Sequence, residues 1–66
     1  MNIVLNGEPT GLEETLTLRG LIDRLELTGK RLAIEVNEEV VPRSEHGEYR
    51  LRDGDRVEIV HAIGGG

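Results

Sequence analysis

At 66 residues and a formal net charge of -5, the chain has room for one small domain with modest stability. The 13 acidic against 8 basic side chains argue against nucleic acid, and one tyrosine without phenylalanine or tryptophan offers no platform for stacking bases. Without cysteine there is no disulfide framework, thiolate metal site or thiol nucleophile, and no apolar run nears the ~20 residues of a membrane span.

The start, Met1-Asn2-Ile3-Val4-Leu5, lacks the basic region of a signal peptide, so the expected location is cytoplasmic. Residues Asn2 to Asn6 alternate as a strand, with Ile3 and Leu5 on one side and Val4 on the other. Asn6-Gly7 is a hairpin signal, and a short returning strand is expected from Thr10 to Leu16, kept near an edge by Pro9 and Gly11. Thr17 then reads as a helix N-cap. Leu18, Leu21, Ile22 and Leu25 follow at i, i+3, i+4 and i+7, one apolar stripe, and Gly29 reads as the C-cap. Leu32 to Asn37 alternates again, with Leu32, Ile34 and Val36 inward. A turn at Asn37-Glu38-Glu39, a brief Val40–Pro42 strand, and a polar, irregular stretch from Arg43 to Glu48 that could hold a short helical turn come next. Tyr49 and Leu51 return to the core edge. Arg52-Asp53-Gly54-Asp55 is a turn with Gly54 at positive φ, and a last strand runs from Arg56 to Ile63.

This order predicts an α+β roll: a mixed sheet of four to five strands with one main helix packed on one face. The first and last strands are the most apolar and belong at the sheet's centre. The parity that turns Ile3, Leu5, Ile34, Val36, Val57 and Ile59 toward the helix leaves Val4, Ala33, Val60 and Ala62 on a face without a cover. That face is a candidate docking surface. His61, close to the end of the last strand, is a candidate partner contact. Gly64-Gly65-Gly66 follow as a tail on a 1–63 domain. Their backbone freedom and missing Cβ atoms suit a carboxylate that threads into a narrow site.

The chain resembles the ThiS family of thiamine-pathway sulfur carriers over essentially its full length, and three stretches carry the match. They are Asn6-Gly7-Glu8; Val36-Asn37-Glu38-Glu39-Val40-Val41-Pro42-Arg43; and Leu51-Arg52-Asp53-Gly54-Asp55-Arg56-Val57-Glu58-Ile59-Val60 leading to the glycine tail. The resemblance implies a ubiquitin-like β-grasp fold and a carrier rather than an enzyme, monomeric when free. It implies that the Gly66 carboxylate is adenylated by a ThiF-type, E1-like enzyme with ATP. Sulfur from a persulfide donor then gives a thiocarboxylate, which thiazole synthase consumes. Gly64 and Gly65 are the spacer, reaching with Gly66 roughly 10 Å when extended. No cofactor is bound in this scheme, since ATP serves the partner.

Three rival readings share less with the chain. The molybdopterin-synthase small subunit, of the MoaD family, has the same fold and tail, but those chains usually run longer and carry more aromatics near the end. A carrier for tRNA thiolation or a protein modifier would use the tail on a different recipient. A plain interaction domain would tolerate loss of Gly65 and Gly66. An enzymatic role has no nucleophile–base pair to stand on: His46 and His61 lie far apart in sequence, and lone histidines are more often structural. Glu35, Glu38, Glu39 and Glu58 read as a solvated face. Glu38, Glu39 and Glu45 have no recognised metal spacing, so no metal site is predicted.

Overall fold

The computed structural model describes residues 1–12 and 15–61. β1 (Asn2–Leu5) and β2 (Glu8–Gly11) form an antiparallel hairpin. Between them Asn6 and Gly7 both take left-handed backbone, at φ 49° and 84°. Positive φ at both central residues is the twist that a two-residue hairpin loop requires. This loop sets Leu5 opposite Glu8, so β2 runs from Glu8 to Gly11 and not from Thr10 to Leu16 as predicted. Pro9 fits because β2 lies at the edge of the sheet, where its missing N–H leaves no neighbour short of a donor.

Thr17 caps α1 (Leu18–Arg24), its Oγ1 accepting a hydrogen bond from Gly20 N at 3.1 Å. Leu18 and Leu21 are buried and Ile22 is half-buried, but Leu25, predicted to continue their stripe, is 38% exposed and does not. The helix stops early for a specific reason. Leu25 is its C-cap, and Glu26 takes the left-handed φ of 61° that usually belongs to glycine. Glu26 N donates to the Asp23 carbonyl and Leu27 N to the Ile22 carbonyl, both at 3.0 Å. That bond pair is a Schellman motif. It folds Leu27 back against the core, where Leu27 takes the place expected of Leu25. Gly29 is therefore not the cap; its φ of 85° serves a later turn that Lys30 N closes on the Leu27 carbonyl at 3.1 Å.

The cap carries a testable cost. Left-handed backbone disfavours a side chain by about 1 kcal/mol, and a carboxylate opposes the negative end of the helix. Glu26→Gly is expected to stabilise the domain by about 1 kcal/mol, raising Tm by roughly 4–8 °C in thermal unfolding. An unchanged or lower Tm would show that Glu26 makes a compensating contact.

β3 (Leu32–Val36), β4 (Glu39–Val40) and β5 (Arg56–His61) complete a five-stranded mixed sheet of order β2-β1-β5-β3-β4. β5 runs parallel to β1 and antiparallel to β3. The first and last strands thus hold inner positions, as their apolar content predicts. Ala62 and Ile63, the end of the predicted last strand, lie outside the described residues. A second two-residue loop, Asn37 and Glu38 at φ 52° and 71°, pairs Val36 with Glu39. β4 is consequently Glu39–Val40 and not Val40–Pro42. Val41 turns into the core instead, its N–H donating to the Ile34 carbonyl at 2.9 Å.

Arg43–Glu45 forms one 3₁₀ turn, the short helical turn for which the sequence left room in this irregular stretch. Ile3, Ile34, Val36, Val57 and Ile59 from the sheet meet Leu18 and Leu21 from the helix, with Leu12, Val41 and Leu51 closing the core. Polar side chains then fasten the turns to the sheet. Asp55 accepts from Arg52 N at 2.8 Å and from Asn37 Nδ2 at 3.1 Å, while Asn37 Oδ1 accepts from Arg56 N at 3.0 Å. Asn6 Oδ1 accepts from Ile59 N at 2.8 Å, tying the first hairpin loop to β5. Asn6 and Asn37 each satisfy a backbone donor on β5, and Asp55 one within its own turn.

Candidate docking face and carrier terminus

The sheet has one face against α1 and one open. Register decides which residues share the open face. Val60 lies opposite Ala33, and Glu58 opposite Glu35, on β5 and β3. Val40 lies opposite Glu35 on the other side, and Val4 lies level with Arg56. Val60 is 56% exposed and Ala33 is exposed beside it, so these two predicted docking residues do come together. Val4 is half-buried and sits four residues of β5 away, roughly 13 Å along the strand. The apolar surface is therefore not one cluster: Arg56 and Glu58 stand between Val4 and Val60.

Sequence reasoning missed Val40, which is 68% exposed on the same face. Treating Val40-Val41-Pro42 as one strand hid it. Once the loop at Asn37-Glu38 is counted as two residues, alternation from Val36 puts Val40 on the open side. The face then carries Val60, Ala33 and Val40 around two carboxylates, Glu35 and Glu58.

His61 has a different orientation. It pairs with Leu32 and shares parity with Val57 and Ile59, so it belongs to the helix side of the sheet, exposed at the end of β5. Ala62 and the spacer and carrier residues Gly64, Gly65 and Gly66 lie outside the described residues. What the described part contributes is the strand that precedes them in the chain: β5, an inner strand, ends at His61. His46 is buried, with Nε2 2.9 Å from the Val41 carbonyl. A carbonyl only accepts, so Nε2 is the donor, and the ring locks the 3₁₀ turn onto β4's exit. His46 and His61 are thus separate features with no shared site. Among the described residues no three His, Cys, Asp or Glu side chains are grouped to hold a metal ion. No helix among them is long and apolar enough to cross a membrane.

Comparison with known proteins agrees with this geometry. The ThiS family model matches residues 3–66. The chain is 35% identical over 63 residues to the sulfur carrier protein ThiS of Bacillus subtilis, covering 94% of this chain and 96% of that one. It is 44% identical over 66 residues to a thiazole synthase of Magnetococcus marinus, but spans 20% of that protein's length. The crystal structure of the thiamine biosynthesis protein ThiS from Geobacter metallireducens superposes with a TM-score of 0.87 at 32% identity over the whole of both chains. That superposition bears out the expected β-grasp roll, with, among the described residues, a mixed five-stranded sheet and one α-helix. The chain belongs to the ThiS family.

Proposed function

We propose that this protein carries sulfur for formation of the thiazole ring in thiamine biosynthesis, with the Gly66 carboxylate as the carrying group. One observation carries the reading: near-complete overlap with sulfur carrier proteins of the ThiS family. A second supports the choice of recipient. Two thiazole synthases contain a segment matching all of this chain, which makes such a synthase the natural recipient.

In this reading Gly66 ends the working polypeptide. A carboxylate is a poor electrophile because oxide is a poor leaving group. A ThiF-type, E1-like enzyme attacks the α-phosphorus of ATP with that carboxylate, releasing pyrophosphate and leaving an acyl adenylate. A persulfide sulfur then displaces AMP, and reductive cleavage of the acyl disulfide by a thiol leaves the thiocarboxylate. The chemistry belongs to the partners, and the domain supplies position. Gly64 and Gly65 let the terminus enter a channel that would exclude side chains, while the open face holds the body of the carrier outside. The chain is therefore a substrate and donor rather than an enzyme. The exchange is set in the cytoplasm, where a reducing environment spares an acyl-bound sulfur from oxidative coupling.

The test is intact-protein mass spectrometry after incubation with ATP, a persulfide donor and a ThiF-type enzyme. An oxygen-to-sulfur mass gain located on the C-terminal fragment is the expected result. No gain, with enzyme that loads its own carrier, would overturn the proposal. Purified thiazole synthase should then consume the loaded form; consumption only by molybdopterin synthase would assign the carrier to the other pathway.

A further inference from the structure

We propose that a cleft on the helix side of the fold binds a small organic anion, one phosphate- or carboxylate-sized head with a short apolar stub. The cleft lies between α1, the loop that precedes β3, and the 3₁₀ turn. Arg19, Lys30 and Arg43 line it from these three segments. Ile22, Leu27 and Leu32 supply its apolar lining. In a chain with 13 acidic and 8 basic side chains, three of the cations meet here, against one carboxylate, Asp23. That carboxylate already accepts a hydrogen bond from the Thr28 hydroxyl. The local balance is opposite in sign to that of the molecule.

The walls are held by hydrogen bonds rather than by the charged side chains themselves. Arg19 N donates to the His46 carbonyl at 3.0 Å, joining α1 to the 3₁₀ turn. His46 Nε2 meets the Val41 carbonyl, and Lys30 N closes on Leu27. Two guanidinium forks on a fixed frame match the paired oxygens of a carboxylate or phosphate. An apolar lining lowers the local dielectric and strengthens those bonds. The volume, about 70 Å³, is roughly half the ~150 Å³ of a cavity that admits benzene. An anionic head with one or two carbons fits.

Leu32 pairs with His61, so the cleft adjoins the end of β5, but on the opposite side of the sheet from Val60, Ala33 and Val40. A ligand here leaves the open face uncovered, and the carrier can hold both at once. The inference stands independently of the sulfur-carrier reading.

Amide NMR titration of the full chain with ethyl phosphate, inorganic phosphate and ionic-strength-matched sodium chloride tests it. Saturable shifts are expected at Arg19, at Leu27 to Lys30, and at His46 and Gly47. Ethyl phosphate should half-saturate at lower concentration than inorganic phosphate. The R19Q/R43Q variant should raise the half-saturating concentration by at least about tenfold, the weight of one lost charge-assisted hydrogen bond. Arg56→Gln, on the open face, should leave it unchanged, and Lys30→Gln replaces the double variant if that fails to fold. Shifts that rise linearly, that chloride reproduces, or that survive the cleft substitutions would reduce the site to general screening and overturn it. Equal titration by both phosphates would overturn the apolar part of the ligand.

Discussion

Leu18→Ala is expected to bring the domain to the edge of unfolding, at a cost of about 3–5 kcal/mol. Leu18 is 0% exposed and lies at the junction of helix and sheet, in one core with Ile3, Leu21, Ile34, Leu51 and Val57. Its amide donates to the Tyr49 carbonyl at 2.9 Å, a bond that alanine retains, so the loss isolates the side chain. Three missing heavy atoms leave a void lined from both layers, and a domain with one short α-helix among its described residues has few ways to collapse into it. A chain of 66 residues commands roughly 3–10 kcal/mol in total, with no disulfide to supplement it. The loss therefore consumes most of the stability. Urea denaturation should show a much lower midpoint with the slope nearly unchanged. Leu25→Ala, on the exposed cap, should cost under about 1 kcal/mol. A Leu18→Ala loss no larger than that of Leu25→Ala would mean that the core is not centred where the burial places it.

The contrast between these two leucines also measures what was legible in the sequence. Period-2 alternation identified the inward faces of β1, β3 and β5, because a strand's side is fixed by parity alone once one face is buried. The helical stripe at Leu18, Leu21 and Ile22 was equally clear. Leu25 continued the period but lay past a stop that no glycine announced. Glu26 adopts the left-handed cap because Leu27 gains burial against the core, a tertiary benefit that outweighs local preference. Glu38 at φ 71° is the same case: the register of β3 and β4 imposes a conformation that its own side chain disfavours. Both errors shifted element ends, and the second removed Val40 from the docking face. The bond from Ile59 N to Asn6 Oδ1 spans 53 residues, and no local pattern encodes it. The cationic cleft was hidden for a similar reason, since Arg19, Lys30 and Arg43 converge only when three segments pack. For Gly64 to Gly66 the reading rests on their sequence and on the family, and the described fold adds the strand that leads to them.

Val60→Glu is expected to weaken association with thiazole synthase, in the proposed complex, by about 10–100-fold, the equivalent of roughly 1.4–2.8 kcal/mol. Val60 is 56% exposed, so removing it from the free protein creates no void, and exchanging one exposed strand residue shifts stability by less than about 1 kcal/mol. In a docked complex the same position would be desolvated. A glutamate there would be buried without a partner, and Glu58 on its own strand with Glu35 on β3 would repel it further. Position along β5 ranks the remaining apolar residues. In the proposed complex the partner contacts the end of β5, where Val60 and Ala33 sit. Val40, level with Glu35 on the edge strand, should tolerate the same change with a smaller loss, and half-buried Val4, level with Arg56, with the least. Isothermal titration of each variant, paired with its thermal unfolding, separates docking from folding. Glu35 and Glu58 add a second signature: if they meet basic groups on the partner, affinity should fall as salt rises, and charge reversal at either should flatten that dependence. Wild-type affinity for Val60→Glu, or a loss confined to Val4, would move the contact off this end of the sheet.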